Sequence, residues 1–301
     1  MEKRTLNTLK RKVRKPMLTI MSVMCAMQMS AQSHTLTISV QEARFTGPAL
    51  RQLVKEYNKV NPDFRAEVVL GNGDADATVA LSAQPADYSV AVGRFVVLPV
   101  ANAQSELLHH KKVQRGLTGK LRRQLYVERD VVEALEAQEN GEKPLPGTVY
   151  TLCGSRAVTA QVLANSLQVP LSRFRGKKVL GREEQLLQTV QSHSDAVSYN
   201  VATLVYDTQS RRPVDGLAVL PTDLDGNGRV SDEERQAITT LDALTDFLER
   251  QPKTTVPTGT VTIETANADV RHFVNWLQTD GQHLLGAYGL LPVADALTAQ
   301  K

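Results

Sequence analysis

Two cysteines, one tryptophan and six histidines are all that 301 residues offer of the side chains most used for disulfides, ring stacking and metal or acid–base chemistry. Cys25 lies in an N-terminal apolar stretch. Once that stretch is removed, Cys153 has no partner for an internal disulfide, and it reads as a buried, inert thiol with no activating His or Lys nearby. His34, His109, His110, His193, His272 and His283 form no metal or catalytic spacing. The adjacent pair His109-His110 would point about 100° apart on a helix and cannot easily share an ion. Gly-x-Ser-x-Gly, P-loop, His-Glu-x-x-His and Cys-x-x-Cys patterns are absent, so nothing supports an enzyme. No apolar run approaches the ~20 residues of a membrane-spanning helix. Charge of one sign is lacking too, the formal net charge being +3. Seven of the 35 Lys and Arg and one of the 32 Asp and Glu fall within residues 1–31, which leaves 28 basic against 31 acidic residues beyond them, a net −3. That balance excludes a phosphate-backbone partner, so no nucleic acid is expected.

The first 31 residues are of another character. Lys3, Arg4, Lys10, Arg11, Lys12, Arg14 and Lys15 precede the 11-residue apolar run Met17–Met27, and the small residues of Met29-Ser30-Ala31 follow. This order predicts a signal peptide over 1–31, cut after Ala31, and hence a soluble periplasmic or secreted protein. Cys25 raises the alternative of a lipid anchor. Ser22 and Met24 stand where a lipobox has Leu and a small residue, which argues against it.

Beyond the leader, strand and helix patterns alternate. Thr35–Val40, Ala66–Leu70, Tyr88–Val92, Phe95–Val100, Thr148–Leu152, Ala196–Tyr199, Gly216–Pro221 and Thr260–Thr265 read as strands. Thr46–Asn61, a short stretch Ala75–Ala83, polar segments over 103–145, a helix carrying Val158, Val162, Leu163 and Leu167, Glu183–Ser192 and Asn267–Leu285 read as helices. Thr46 and Asn267 are the expected N-caps. The alternation predicts an α/β fold with mainly parallel sheets. Phe95–Pro99 and Gly216–Pro221 are alike and read as crossovers between two lobes, 33–98 plus 217–301 and 99–216. Two crossovers imply a hinge and a cleft, where ligands prefer to bind.

The strongest local motif is Asp223-Leu-Asp225-Gly-Asn227-Gly228-Arg229-Val230-Ser231-Asp-Glu-Glu234. It matches the Ca²⁺ loop pattern of an EF-hand at each diagnostic position. Asp223, Asp225 and Asn227 supply side-chain oxygens, Arg229 its carbonyl, Ser231 an oxygen directly or through water, and Glu234 a bidentate carboxylate. Gly228 permits the sharp turn. A helix with Ile238, Leu241, Leu244 and Leu248 follows, but a strand precedes, so the motif is half an EF-hand. The bland alternative is an Asp/Gly-rich turn capping the next helix.

Two helix starts, one per lobe, could receive an anion: Arg44 and Thr46 in one, Ser155 and Arg156 in the other. Each alone reads first as an ordinary cap. Facing each other, they would clamp an oxyanion. Asp87 and Arg94 flank a strand end as a structural ion pair.

The order of these segments resembles the periplasmic phosphate-binding proteins of ABC transporters, the type II solute-binding fold. Thr37–Tyr57 resembles that family's first strand, oxyanion loop and helix. Pro62-Asp63 with Val68–Gly73 resembles its "NP…v.v.GgGS" segment, and Ala86-Asp87-Tyr88-Ser89 its "aDia" strand. Val97–Asn102 resembles its first crossover and Asp195–Tyr199 its "gaIGY" turn. Phe273–Pro292 is similar to "F..wl...GQ.....Gy.Pl". A subgroup of these proteins carries a calcium-type loop such as Asp223–Glu234. The resemblance implies a two-lobe binding protein for phosphate or another small oxyanion, with Ca²⁺ as cofactor and a transporter permease as partner. The chain also departs from the family. Glu42-Ala43-Arg44-Phe45-Thr46 stands for "GS.T", so only Thr46 fits. Asp74 and Asp76 enter the second loop, where acids facing a phosphate would repel it. At the "R..gSGT" helix start Ser155 remains and Arg156 stands in for the Arg. The alternative to a solute-binding protein is a calcium-stabilised structural or interaction module of the same fold. A hydrolase in the same cleft is a third, weak reading.

Overall fold

The computed structural model describes residues 35–71, 73–83, 89–141, 143–154, 157–251 and 255–293. The expected leader, its cleavage site and Cys25 lie outside the described residues, as do Ala86, Asp87, Tyr88, Ser155 and Arg156.

Strand β1 (Leu36–Ser39) runs into a 3-10 turn, Arg44–Thr46, and then helix α1 (Gly47–Val60). Leu50, Leu53, Val54 and Tyr57 recur at helical spacing and are buried. Thr46 does not cap this helix with its side chain, contrary to expectation. Pro48 sits in the first turn, where its missing N–H costs nothing, and the Thr46 hydroxyl turns back to donate to the Ala43 carbonyl at 2.7 Å.

Strand β2 (Ala66–Val69) pairs with β1 in parallel, the crossover that α1 requires. The expected helix over Ala75–Ala83 is instead strand β3 (Ala77–Ser82). Its alanines favour a helix only weakly, and pairing overrides that preference. Ile38 and Ser39 face Ala77 and Thr78 on one edge, and all six residues pair on the other. The two apolar runs expected next fuse into one 13-residue strand, β4 (Val90–Asn102), bulged between Ala91 and Gly93.

The polar stretch holds α2 (Lys111–Arg115), α3 (Gly119–Tyr126) and α4 (Val131–Glu139). His110 caps α2 by accepting from the Lys112 N–H, which gives it a structural task. A second parallel set follows: β5 (Thr148–Cys153), α5 (Val158–Ser166), β6 (Lys177–Leu180), α6 (Glu183–Ser192) and β7 (Ala196–Val201). The short α7 (Ala202–Val205) and β8 (Leu217–Val219) lead to the acidic loop. The single helix expected after that loop is two, α8 (Asp232–Ala237) and α9 (Leu241–Arg250), because Thr240 caps the second by accepting from Ala243.

The chain returns through β9 (Thr258–Thr265) and α10 (Ala268–Gln278), capped by Asn267 as expected, to β10 (Leu290–Leu291). Helix α10 stops at Gln278 rather than Leu285. Gly281 folds back against Leu277 and Trp276, and Gln282 is spent on stitching, donating to the Val92 carbonyl and accepting from the Val293 N–H.

The strands form a ten-stranded sheet in the order β2-β1-β3-β9-β4-β7-β5-β6, with β8 and β10 also on β4. It is mixed rather than mainly parallel. Among the described pairings four are parallel and five antiparallel, all five antiparallel ones involving β4 or β9. Alternation along a sequence reports burial, not strand direction. Strand β4 belongs to both halves: Val90–Val96 pair with β9, and Val97–Ala101 with β7.

On one side of the sheet Tyr57, Phe64, Phe273 and Trp276 interlock at centroid distances of 4.8–6.2 Å, joining α1 to α10. One acid is inside. Glu183 opens α6 nearly buried and accepts from the Thr159 hydroxyl at 2.9 Å. Burial raises its carboxyl above the ordinary range.

Two expectations follow. Phe273→Ala, at a fully buried site, should cost about 3–5 kcal/mol in urea unfolding; a loss under about 1 kcal/mol would mean that the cluster carries little. Glu183 binds its proton more tightly folded than unfolded, so its contribution is complete below its ordinary pKa of 4.5 and is lost as pH rises through the folded value. Glu183→Gln keeps an acceptor for Thr159 without the charge. Its melting temperature should therefore gain on that of the parent chain as pH rises above 4.5, and a difference independent of pH would contradict this.

Candidate functional site

Both parallel sets present their carboxyl ends, with the strand-to-helix turns, at one place. In α/β sheets such ends are where ligands bind. The turn after β1 is Val40–Thr46, and the turn after β6 is Gly181-Arg182. They touch: the Arg182 Nη1 donates to the Gln41 carbonyl at 2.6 Å, across 141 residues of chain. Arg44, exposed, donates its Nη2 to Gln41 Oε1 at 3.0 Å. Strand β5 lies beside β6, with Cys153 opposite Leu180.

Of the four expected anion residues, the structure places Arg44 here with its guanidinium exposed. Thr46 is here too, but fully buried, its hydroxyl proton committed to Ala43. Ser155 and Arg156 lie outside the described residues. Arg182 was not singled out from the sequence. Its signal was a basic residue just after Gly181 and just before the helix that opens at Glu183.

The acids expected to repel an anion sit differently. Asp76 accepts from the Thr37 N–H at 2.8 Å and from the Asn267 side chain at 3.0 Å. Both contacts are at the amino ends of β1 and β3, away from the turn at Gln41, so Asp76 is a structural link. Asp74 is exposed on the segment between β2 and β3. Arg94 donates to the Pro292 carbonyl at 2.7 Å.

The acidic loop forms a second, separate centre. Asp223, Asp225 and Glu234 bring carboxylate oxygens within 4.8 Å of one another. Oxygens sharing one Ca²⁺ at about 2.3–2.6 Å cannot lie more than about 5 Å apart, so the spacing fits that ion. Gly226 and Gly228, at φ 82° and 86°, make the reversals, and their N–H groups donate to the two Asp223 oxygens. Glu234, with no exposed surface, accepts from the N–H groups of Leu224 and Asp225 and from the N–H and hydroxyl of Ser231. An ion here would exchange some of those bonds for coordination. Ser231 also caps α8 by accepting from the Glu234 N–H. Asn227 and Arg229 are exposed on the loop, Asn227 accepting from the Arg229 N–H. Burial, then the facing Glu234, raise the Asp223 carboxyl, opposed by the two glycine N–H groups and Arg122.

This loop is docked on the segment before α3. Leu117 N–H donates to the Pro221 carbonyl, and the Leu117 carbonyl accepts from the Asp223 N–H and the Thr222 hydroxyl. Arg235 reaches the Arg115 carbonyl at 2.9 Å. Val230 lies against Gly116, whose φ of 110° and lack of a side chain leave it room.

No helix among the described residues is long and apolar enough to cross a membrane. The chain matches no protein-family model and no curated protein. Solved structures do match. A protein assigned as a phosphate ABC transporter substrate-binding protein from Clostridium perfringens, with phosphate bound, is similar over 86% of this chain and 99% of its own, at 11% identity and a TM-score of 0.54. An ABC-type phosphate transport receptor from Vibrio cholerae is similar over 85% and 99%, at 14% identity and a TM-score of 0.46. PstS from Borrelia burgdorferi is similar over 86% and 98%, at 11% identity and a TM-score of 0.45. Of these three, the first is near enough to argue from, and at its identity it speaks for the fold alone. The chain has a mixed α/β fold with a central sheet that matches a two-lobe solute-binding fold.

Proposed function

We propose that this chain is an exported solute-binding protein of the phosphate-binding type. It takes phosphate or another small oxyanion between lobes 33–98 plus 217–301 and 99–216, and passes it to an ABC transporter permease. The observation that carries this is the meeting of the strand carboxyl ends of both halves at Gln41, with Arg44 exposed beside it. The similarity in fold to a phosphate-bound protein supports it. Arg44 would bind the solute through its guanidinium, the turn Arg44–Thr46 through its backbone, and Ser155 and Arg156 from the other lobe. No catalytic role is assigned to any of them. The leader over 1–31, cut after Ala31 and without lipid on Cys25, would deliver the protein to the periplasm or beyond.

Loop 223–234 would hold one Ca²⁺ through Asp223, Asp225, Asn227, the Arg229 carbonyl, Ser231 and Glu234. The ion would supply a compact double positive charge between acids that burial and mutual repulsion disfavour. A second reading, a calcium-stabilised structural module without a solute, is favoured by the inward-facing Thr46 hydroxyl.

Calorimetric titration with phosphate, sulfate and small carboxylates in the presence of Ca²⁺ decides between them. Binding near micromolar is expected, with a loss of about tenfold or more in Arg44→Ala, the equivalent of one charge-assisted bond. No heat from any anion with an intact fold would leave the structural module as the better reading. Independently, Ca²⁺ should raise the melting temperature and chelator lower it, by the equivalent of about 2.7 kcal/mol at 100-fold excess over Kd. Asp223→Ala and Glu234→Ala should each abolish that response. Identical melting curves with ion and with chelator would refute the calcium site.

A further inference from the structure

Gln41 collects two positive charges. Arg44 comes to its side-chain oxygen and Arg182 to its main-chain oxygen, one guanidinium from each of the two parallel sets. Among the described residues neither guanidinium is in an ion pair. The acid next to Arg182 is withdrawn from it. The Glu183 side chain turns inward to Thr159, and its carbonyl accepts from the buried Asn200 amide. Two forks of like charge therefore converge on a neutral residue, with no carboxylate paired to either. Their bonds to Gln41 are to uncharged acceptors, and a bond to an anionic oxygen is roughly twice as strong. Each guanidinium carries five donors, of which the bonds to Gln41 use one apiece.

We propose that Arg182 is a ligand residue of the solute site, and that Arg44 and Arg182 form a clamp, one arm from each half, for a tetrahedral oxyanion. The proposal rests on the solute-binding reading and extends it. Gln41 takes one bond from each fork, and in the clamp its oxygens are the partners that the anion replaces. The clamp acts across the seam, so it favours the arrangement in which the turns after β1 and β6 are together. A plain structural latch between Arg182 and the Gln41 carbonyl would need a donor there but no charge, and that difference is measurable.

The test is calorimetric titration of the full chain with inorganic phosphate, and separately sulfate, at constant ionic strength. The proteins are the parent chain, Arg182→Ala, Arg182→Gln, Arg182→Lys and Arg44→Ala, each first checked for an unchanged anion-free melting curve. The clamp predicts that Kd rises about tenfold or more in Arg182→Ala and comparably in Arg182→Gln, with Arg182→Lys between these and the parent. Glutamine can still donate to the Gln41 carbonyl, so parental affinity in Arg182→Gln would overturn the clamp in favour of a latch. Parental affinity in Arg182→Ala, with affinity lost in Arg44→Ala, would overturn the clamp and leave the solute-binding reading standing. No binding of either anion by the parent chain would overturn both.

Discussion

Everything in this molecule hangs on one strand that must satisfy its backbone twice over. From Val92 to Asn102, β4 is buried almost without interruption, so its N–H and C=O groups have no water to turn to. It pairs with β9 while β9 lasts. At Val96 that partner ends, and β7 takes up the ladder from Val97. The Val97 N–H is caught by the Pro257 carbonyl at the handover. Pro99, two residues on, brings no N–H to be satisfied, and its carbonyl accepts from Leu220. A strand that changes partner midway binds two half-sheets into one, and it explains why both faces of the run FVVLPV are apolar. Such a strand has no solvent side.

Three acids are buried or nearly so, and the fold treats them differently. Glu183 is taken out of water with one hydroxyl and its own N–H to bond it, and burial raises its carboxyl above the ordinary range. Glu234 accepts four bonds from N–H and O–H groups of its own loop. Asp223 has two glycine N–H groups but faces Glu234. Taking each carboxylate out of water costs several kcal/mol, while a bond to a charged group returns about 1.5–3. The loop therefore sits close to balance on its own donors. Arg122 also opposes the charge on Asp223; it is itself buried, with its Nε lacking a partner among the described residues. A divalent ion would add twice the charge of that guanidinium.

Much of this could be read from the chain. Glu183–Ser192 was legible to the residue, because the apolar spacing and the strand that follows agree. The Asn267 cap was legible from side-chain chemistry, and the 12-residue acidic loop from spacing alone. What failed did so for a reason. Ala77–Ser82 has little pattern of its own, and its state is decided by Leu36–Ser39 and Thr258–Thr265, far along the sequence. Strand direction leaves no mark on alternation, so the antiparallel return of β9 was invisible. Thr46 has the composition of a cap, but Pro48 in the first helical turn removes one donor and the chain enters through a tight turn instead. Arg182 was passed over because a lone arginine before a helix is unremarkable until a turn 141 residues away is seen to meet it.

The contacts that join the halves are of unequal strength, and this bears on how a solute would enter. The ladder of β4 with β7 runs through five residue pairs of buried backbone. The acidic loop adds three bonds to Leu117, two of them backbone to backbone. The link at Gln41 is a single bond from a half-exposed side chain, worth about 1.5–3 kcal/mol at most in this charge-assisted form. If the halves part anywhere, it is where one side-chain bond yields before a buried ladder does. The strand carboxyl ends would separate while β4 and the acidic loop stay together. An oxyanion arriving there would meet the Arg182 guanidinium released from a neutral acceptor, while Arg44 stays on the Gln41 side chain of its own turn until the anion replaces it.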